Sequence, residues 1–127
     1  MDRCFTNILS SDVGRTADFY ADVLDMQRHF DSDWFVILTH PDIEGLELGV
    51  LQRDHDIVPQ SARQAPSGVI VTFVVADCDA VYAKATSCNA EILEEPTDMF
   101  YGQRRMLLRD PDGTVVDVSA PLGSGAA

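Results

Sequence analysis

Lysine occurs once in this chain, as Lys84, and nine Lys and Arg together face 21 Asp and Glu, a formal net charge of -12 over 127 residues. Phosphate binding needs a basic footprint, so the shortage of positive charge argues against a nucleic-acid partner. The excess of carboxylates favours cationic ligands, or else serves only to keep the surface solvated. Cysteine is also sparse: Cys4, Cys78 and Cys88 are odd in number and lack a C-x-x-C spacing. Neither a disulfide framework nor a zinc knuckle follows, and the three are expected to be small buried apolar side chains. No apolar run approaches the roughly 20 residues of a spanning helix, and no basic segment leads a hydrophobic stretch at the start. A cytoplasmic protein without a membrane partner is therefore expected. A Gly-rich phosphate loop, a nucleophile elbow and a Ser-His-Asp arrangement are all missing, so covalent catalysis is not suggested.

What the chain does have is an internal repeat. Phe5 stands seven residues before Asp12 as Ile70 does before Asp77, and Glu47 stands six after Pro41 as Asp117 does after Pro111. Two copies of one unit imply a pseudo-twofold structure with a cleft at the shared seam. Composition is that of one compact domain, 46% hydrophobic and 24% charged, with modules at about 1–53 and 68–121, a linker at 54–67 and a flexible tail at 122–127.

Each module reads as strand, helix, then three strands. Asp12 precedes Val13, Ala17, Tyr20 and Leu24 on one helical face, and Asp77 precedes Cys78, Val81, Ala85 and Cys88, each aspartate placed as N-cap. Asn89 is a stop for the second helix. Strands are expected at Phe5–Ser10, Gln27–Asp31, Trp34–Thr39 and Leu46–Gln52, then at Val69–Val75, Ala90–Glu94, Arg104–Arg109 and Val115–Ser119. Asp110-Pro111-Asp112-Gly113 supplies a hairpin turn. By alternation Val69, Val71, Phe73 and Val75 pack beneath a helix, which leaves Ile70, Thr72 and Val74 on the opposite face with Phe5, Asn7 and Leu9. Glu47 and Asp117 join that face, so a cleft there holds two carboxylates among apolar walls.

The capped helix with Phe19-Tyr20 and Leu24-Asp25-Met26, the second helix after Asp77-Cys78-Asp79-Ala80, and Tyr101-Gly102-Gln103-Arg104 before Asp110-Pro111-Asp112-Gly113 resemble the glyoxalase, bleomycin-resistance and extradiol-dioxygenase (vicinal oxygen chelate) superfamily. The resemblance runs from about Phe5 to Pro121. It implies an α+β fold of two βαβββ modules whose mixed sheets curl around a cleft, commonly in a homodimer. It also implies a divalent metal on the first, fourth, fifth and eighth strands, at positions matching Phe5, Glu47, Ile70 and Asp117. Phe5 and Ile70 carry no donor, so a metal at that position is not expected and no cofactor is assigned; a divalent ion is the alternative. His29, His40 and His55 are expected to be exposed rather than rescue ligands.

Without metal, Glu47 is a candidate general base or, with Asp117, a grip for a cationic ligand; either carboxylate can instead serve only a local hydrogen bond or ion pair. Trp34 and Arg104, each seven residues before a proline, are expected to face the cleft and hold a planar ligand. Tyr101 stands at the mouth of the second module, and Phe5, Asn7, Ile70 and Thr72 form the floor. Three functions remain open: a metal-free binder of a small aromatic or cationic compound, a lyase, isomerase or dioxygenase with an atypical metal or with Glu47 as base, and an accessory module with no ligand.

Overall fold

A computed structural model describes residues 1–123. The first module contains β1 (Thr6–Ser10), α1 (Val13–Leu24), β2 (Gln27–Asp31), β3 (Phe35–His40) and β4 (Ile43–Gln52); the second contains β5 (Ile70–Val74), α2 (Cys78–Ser87), β6 (Glu91–Asp98), β7 (Gln103–Arg109) and β8 (Val115–Pro121). A short 3-10 turn at Gln60–Ala62 interrupts the connection between them. Of the expected tail, residues 124–127 lie outside the described residues.

Both helices begin as their sequences require. The Asp12 side chain accepts from the Arg15 backbone N–H and that of Asp77 from the Ala80 N–H, satisfying one orphan donor in each first turn. They end on residues in the left-handed region, Asp25 (φ 57) and Asn89 (φ 56), a conformation that Asp and Asn tolerate better than most side chains.

The strands form two four-stranded sheets ordered β1-β4-β3-β2 and β5-β8-β7-β6. In each, the first and last strands of the module run parallel and the other pairs are antiparallel. One face of each sheet packs on its own helix, and the helices touch each other. Ile8, Val36, Leu38, Leu48 and Val50 thereby join Met106, Leu108, Val116 and Val118 in a single core with Val23 and Ala85. The opposite faces carry no helix. Cysteine departs from expectation: Cys78 is buried on α2, but Cys4 and Cys88 are exposed, because Cys4 precedes β1 and Cys88 caps α2 beyond the packed turn.

The modules are joined by a polar cluster under α1. Asp110, 4% exposed, accepts from the Tyr20 hydroxyl at 2.8 Å and from the N–H groups of Asp112 and Thr114. The Asp112 carboxylate, 1% exposed, accepts from Thr16 Oγ1 at 2.5 Å, the Ser11 N–H at 2.9 Å and Arg53 Nη2 at 3.3 Å. Burial, and then the adjacent Asp110 charge, push the Tyr20 phenol well above its ordinary value.

A raised phenol pKa contributes stability that is complete below the unfolded value of about 10 and is lost as pH rises beyond it. Tyr20→Phe leaves a buried carboxylate short of one donor and is expected to cost about 2 kcal/mol at neutral pH. In urea titrations that difference should shrink above pH ~10, by about 1.4 kcal/mol per pH unit.

Candidate functional site

The helix-free faces carry most of the side chains singled out from sequence. Thr6 pairs with Leu48, which sets Phe5 and Glu47 one step earlier on neighbouring chains, and Asn7 pairs with Gly49. On β5, Ile70 pairs with Val115 and Thr72 with Asp117. The register therefore places Thr72, not Ile70, opposite Asp117. Between the β1/β4 edge and β5 lies a recess of about 290 Å³ whose lining includes Glu47, Ile70 and Thr72. Asp117 stands behind Thr72, accepting from Thr72 Oγ1 at 3.3 Å and from Ser119 Oγ at 2.6 Å.

Glu47 is not free. Arg3 Nε donates to Glu47 Oε2 at 2.7 Å and Arg3 Nη2 binds Oε1, while the guanidinium carbon lies 4.8 Å from the centre of the Phe5 ring. An arginine from the segment before β1 thus sits on the carboxylate and on the aromatic face together. Its hydrogen bonds hold the Glu47 carboxyl below the ordinary carboxylate range, against the opposing effect of burial. The raised pKa that would suit a general base near neutral pH is absent.

Asn7 and Gly49 form a second lock on the same face. A Cβ on Gly49 would stand 1.9 Å from Asn7 Oδ1 and 3.3 Å from Phe35 Cε1, so only glycine lets the amide lie across β4. Phe35, Ile37 and Leu51 share the face through the ladder pairs Phe35–Leu51 and Ile37–Gly49. This wall is apolar and partly aromatic, with Phe30 and Phe35 centroids 5.8 Å apart.

Three expected site residues stand elsewhere. Arg104 is in phase with Met106 and Leu108, which are buried, and so turns to the helix side, where it pairs with Asp79 of α2 at 3.1 Å and Asp98 at 2.8 Å. Counting from the proline matched Arg104 to Trp34, but Arg104 faces the helix and Trp34 lies before β3 against the linker. Trp34 precedes β3 in phase with buried Val36 and Leu38 and stacks on His55, with centroids 4.2 Å apart at 20°. His55 and His40 are accordingly partly buried, and only His29 is exposed. Tyr101 lies in the β6–β7 turn, 49% exposed and edge-on to Phe100, away from the recess.

The arginine that does share the helix-free face is Arg105, missed from sequence. It pairs across the ladder with Ser119 and donates to both oxygens of Glu94, at 3.1 and 3.2 Å. Its alternation with Met106 was the available signal. The second module's wall is therefore mixed, with Arg105, Asp117, Ser119 and Thr72 beside Ile70, Val74 and Leu107.

The profile of the Glyoxalase/Bleomycin resistance protein/Dioxygenase superfamily matches residues 4–118. The chain belongs to this superfamily. Solved structures agree in fold. A glyoxalase/bleomycin resistance protein/dioxygenase family enzyme from Burkholderia phytofirmans is 20% identical with a TM-score of 0.79, over 93% of this chain and 97% of that one. A superfamily member from Sphaerobacter thermophilus is 21% identical with a TM-score of 0.75, over 94% and 97%. A protein described only as a conserved domain protein is 26% identical with a TM-score of 0.76, over 95% and 99%. No curated protein matches the chain.

The divalent ion that the superfamily implies does not fit the residues present. Phe5 and Ile70 offer no donor atom, Glu47 is held by Arg3, and Asp117 is occupied by two hydroxyls. Among the described residues no three His, Cys, Asp or Glu side chains come together as a ligand set, as Zn or Fe sites need.

Arg3→Ala removes the first cause of the Glu47 shift. Carbon-13 NMR titration of the glutamate carboxyls should show the Glu47 pKa rising toward the ordinary value; an unchanged pKa would mean that Arg3 does not engage it in solution.

Proposed function

We propose that this chain is a metal-independent binder of a small aromatic or cationic compound, held at the seam between the modules against Glu47, Ile70 and Thr72. The observation that carries this reading is the pair Phe5 and Ile70, an aromatic and an aliphatic side chain at positions where a catalytic ion would need donors. An aromatic body finds apolar side chains in Leu46, Ile70 and Phe73 of the recess, and a cationic group finds Glu47 by displacing the Arg3 guanidinium, which is half exposed and rests on Phe5. Asn7, Thr72 and Asp117 supply the polar groups that fix orientation. We further propose that the protein works in the cytoplasm as a homodimer, in which a second copy covers Phe30 and Ile70, 46% and 60% exposed on the helix-free faces. No described helix is long and apolar enough to cross a membrane.

Benzamidine, a planar aromatic cation, is the first probe. In the presence of a chelator it should shift the backbone amides of Glu47, Ile70 and Thr72. Glu47→Gln should weaken binding about tenfold, the loss of ~1.4 kcal/mol, and Arg3→Ala should strengthen it. Near-stoichiometric retention of Zn, Ni, Fe or Mn, with turnover of a hemithioacetal or a catechol, would overturn the reading in favour of a lyase or dioxygenase.

A further inference from the structure

The two modules differ where each β-hairpin turn meets the other module's helix. Counted from the capping aspartates, Tyr20 and Thr16 of α1 correspond to Ala85 and Val81 of α2; counted from the prolines, Asp110 and Asp112 correspond to His40 and Asp42. In one pairing both aspartates are bound by hydroxyls of α1. In the other, the phenol and the hydroxyl are missing from α2, and the latch has no counterpart.

Beside this second turn lies a cavity of about 690 Å³, bounded by the end of α1, the β3–β4 turn, β5 and the first turns of α2, against about 360 Å³ for the pocket beside the latched turn. Its walls are apolar, with Val23, Met26, Ile43, Leu46 and Val81, and His40, Asp42 and Asp77 stand among its lining residues. Asp25, also in the lining, is bound by Lys84 at 2.6 Å. Asp77 uses one oxygen to cap α2. This cavity adjoins the Glu47 recess, and Leu46, Thr72 and Phe73 border both.

We propose that this cavity is a second binding site, for a small organic cation with an apolar or aromatic body. Its volume lies within the range of about 300–1,000 Å³ usual for small-molecule pockets. The walls suit a hydrocarbon or aromatic body, while Asp42 and Asp77 suit an ammonium and oppose a carboxylate. A net charge of -12 raises the local concentration of such a cation. Val81 lines this cavity, where Thr16 at the matching place on α1 donates to Asp112.

The test uses the full chain with 2-naphthylmethylammonium as probe and 2-naphthoate as its charge-reversed control, by calorimetry and amide chemical shifts. One-to-one binding of the ammonium is expected, with shifts centred on Val23, Met26, Ile43 and Val81, and binding of the naphthoate at least tenfold weaker. Ala80→Trp places an indole in the cavity from an exposed position on α2 and should weaken binding at least tenfold; Ile43→Trp, from the half-exposed hairpin position, does the same if the first variant does not fold. Asp42→Asn should weaken it severalfold, and Glu47→Gln should leave it unchanged. No binding at millimolar ammonium, equal affinity for the naphthoate, or shifts confined to Glu47 and Ile70 would each overturn the proposal. The last of these would leave the Glu47 recess standing as a site, so the two proposals fail separately.

Discussion

The buried carboxylates of Asp110 and Asp112 fix how the two modules dock. Burying two ionisable oxygens side by side is costly unless donors meet them. Here Tyr20, Thr16 and Ser11 of the first module supply those donors, joined by Arg53 at the start of the linker. The arrangement works only when the β7–β8 turn sits under the start of α1. Any slide of one module over the other would strand at least one carboxylate without partners. Apolar packing between the helices is less directional and tolerates small shifts; the carboxylates do not. They therefore set the position of β5 beside β1, and with it the width of the recess that Glu47 and Thr72 line.

Within that recess the distribution of charge is local rather than global. A chain of net charge -12 could have presented two bare carboxylates to the seam. Instead Glu47 is neutralised by Arg3, and Asp117 is satisfied by hydroxyls. Arg3 holds the site that an ion would otherwise have to fill, and it does so with a planar group that also rests on Phe5. An exposed guanidinium on a flexible stem can leave when a better cation arrives, which a ligand set built for a metal cannot imitate.

The fold was legible because its determinants are local. Asp12 and Asp77 mark the helix starts, and alternation along β5 separates Val71 and Phe73 from Ile70 and Thr72. Residues that failed did so where the answer depends on partners distant in sequence. Arg3 lies before the first strand and meets Glu47 44 positions later; no spacing rule connects them. Asp110 and Asp112 read as turn residues, which they are, but their burial is decided by α1. Arg104 was assigned by counting from a proline, although Met106 and Leu108 in phase with it already marked the helix side. Parity against buried neighbours was the stronger signal.

Pseudo-symmetry gives this chain two equivalent junctions between hairpin and helix, and side-chain chemistry has made them different. One is closed by hydroxyls on carboxylates and carries the rigidity of the docking. The other carries Val81 and Ala85 on α2, with no hydroxyl directed at the β3–β4 turn. Tyr20 on α1 and Ala85 on α2 thus give matching places in the two modules different work, one bonded to a buried carboxylate and the other packed in the core.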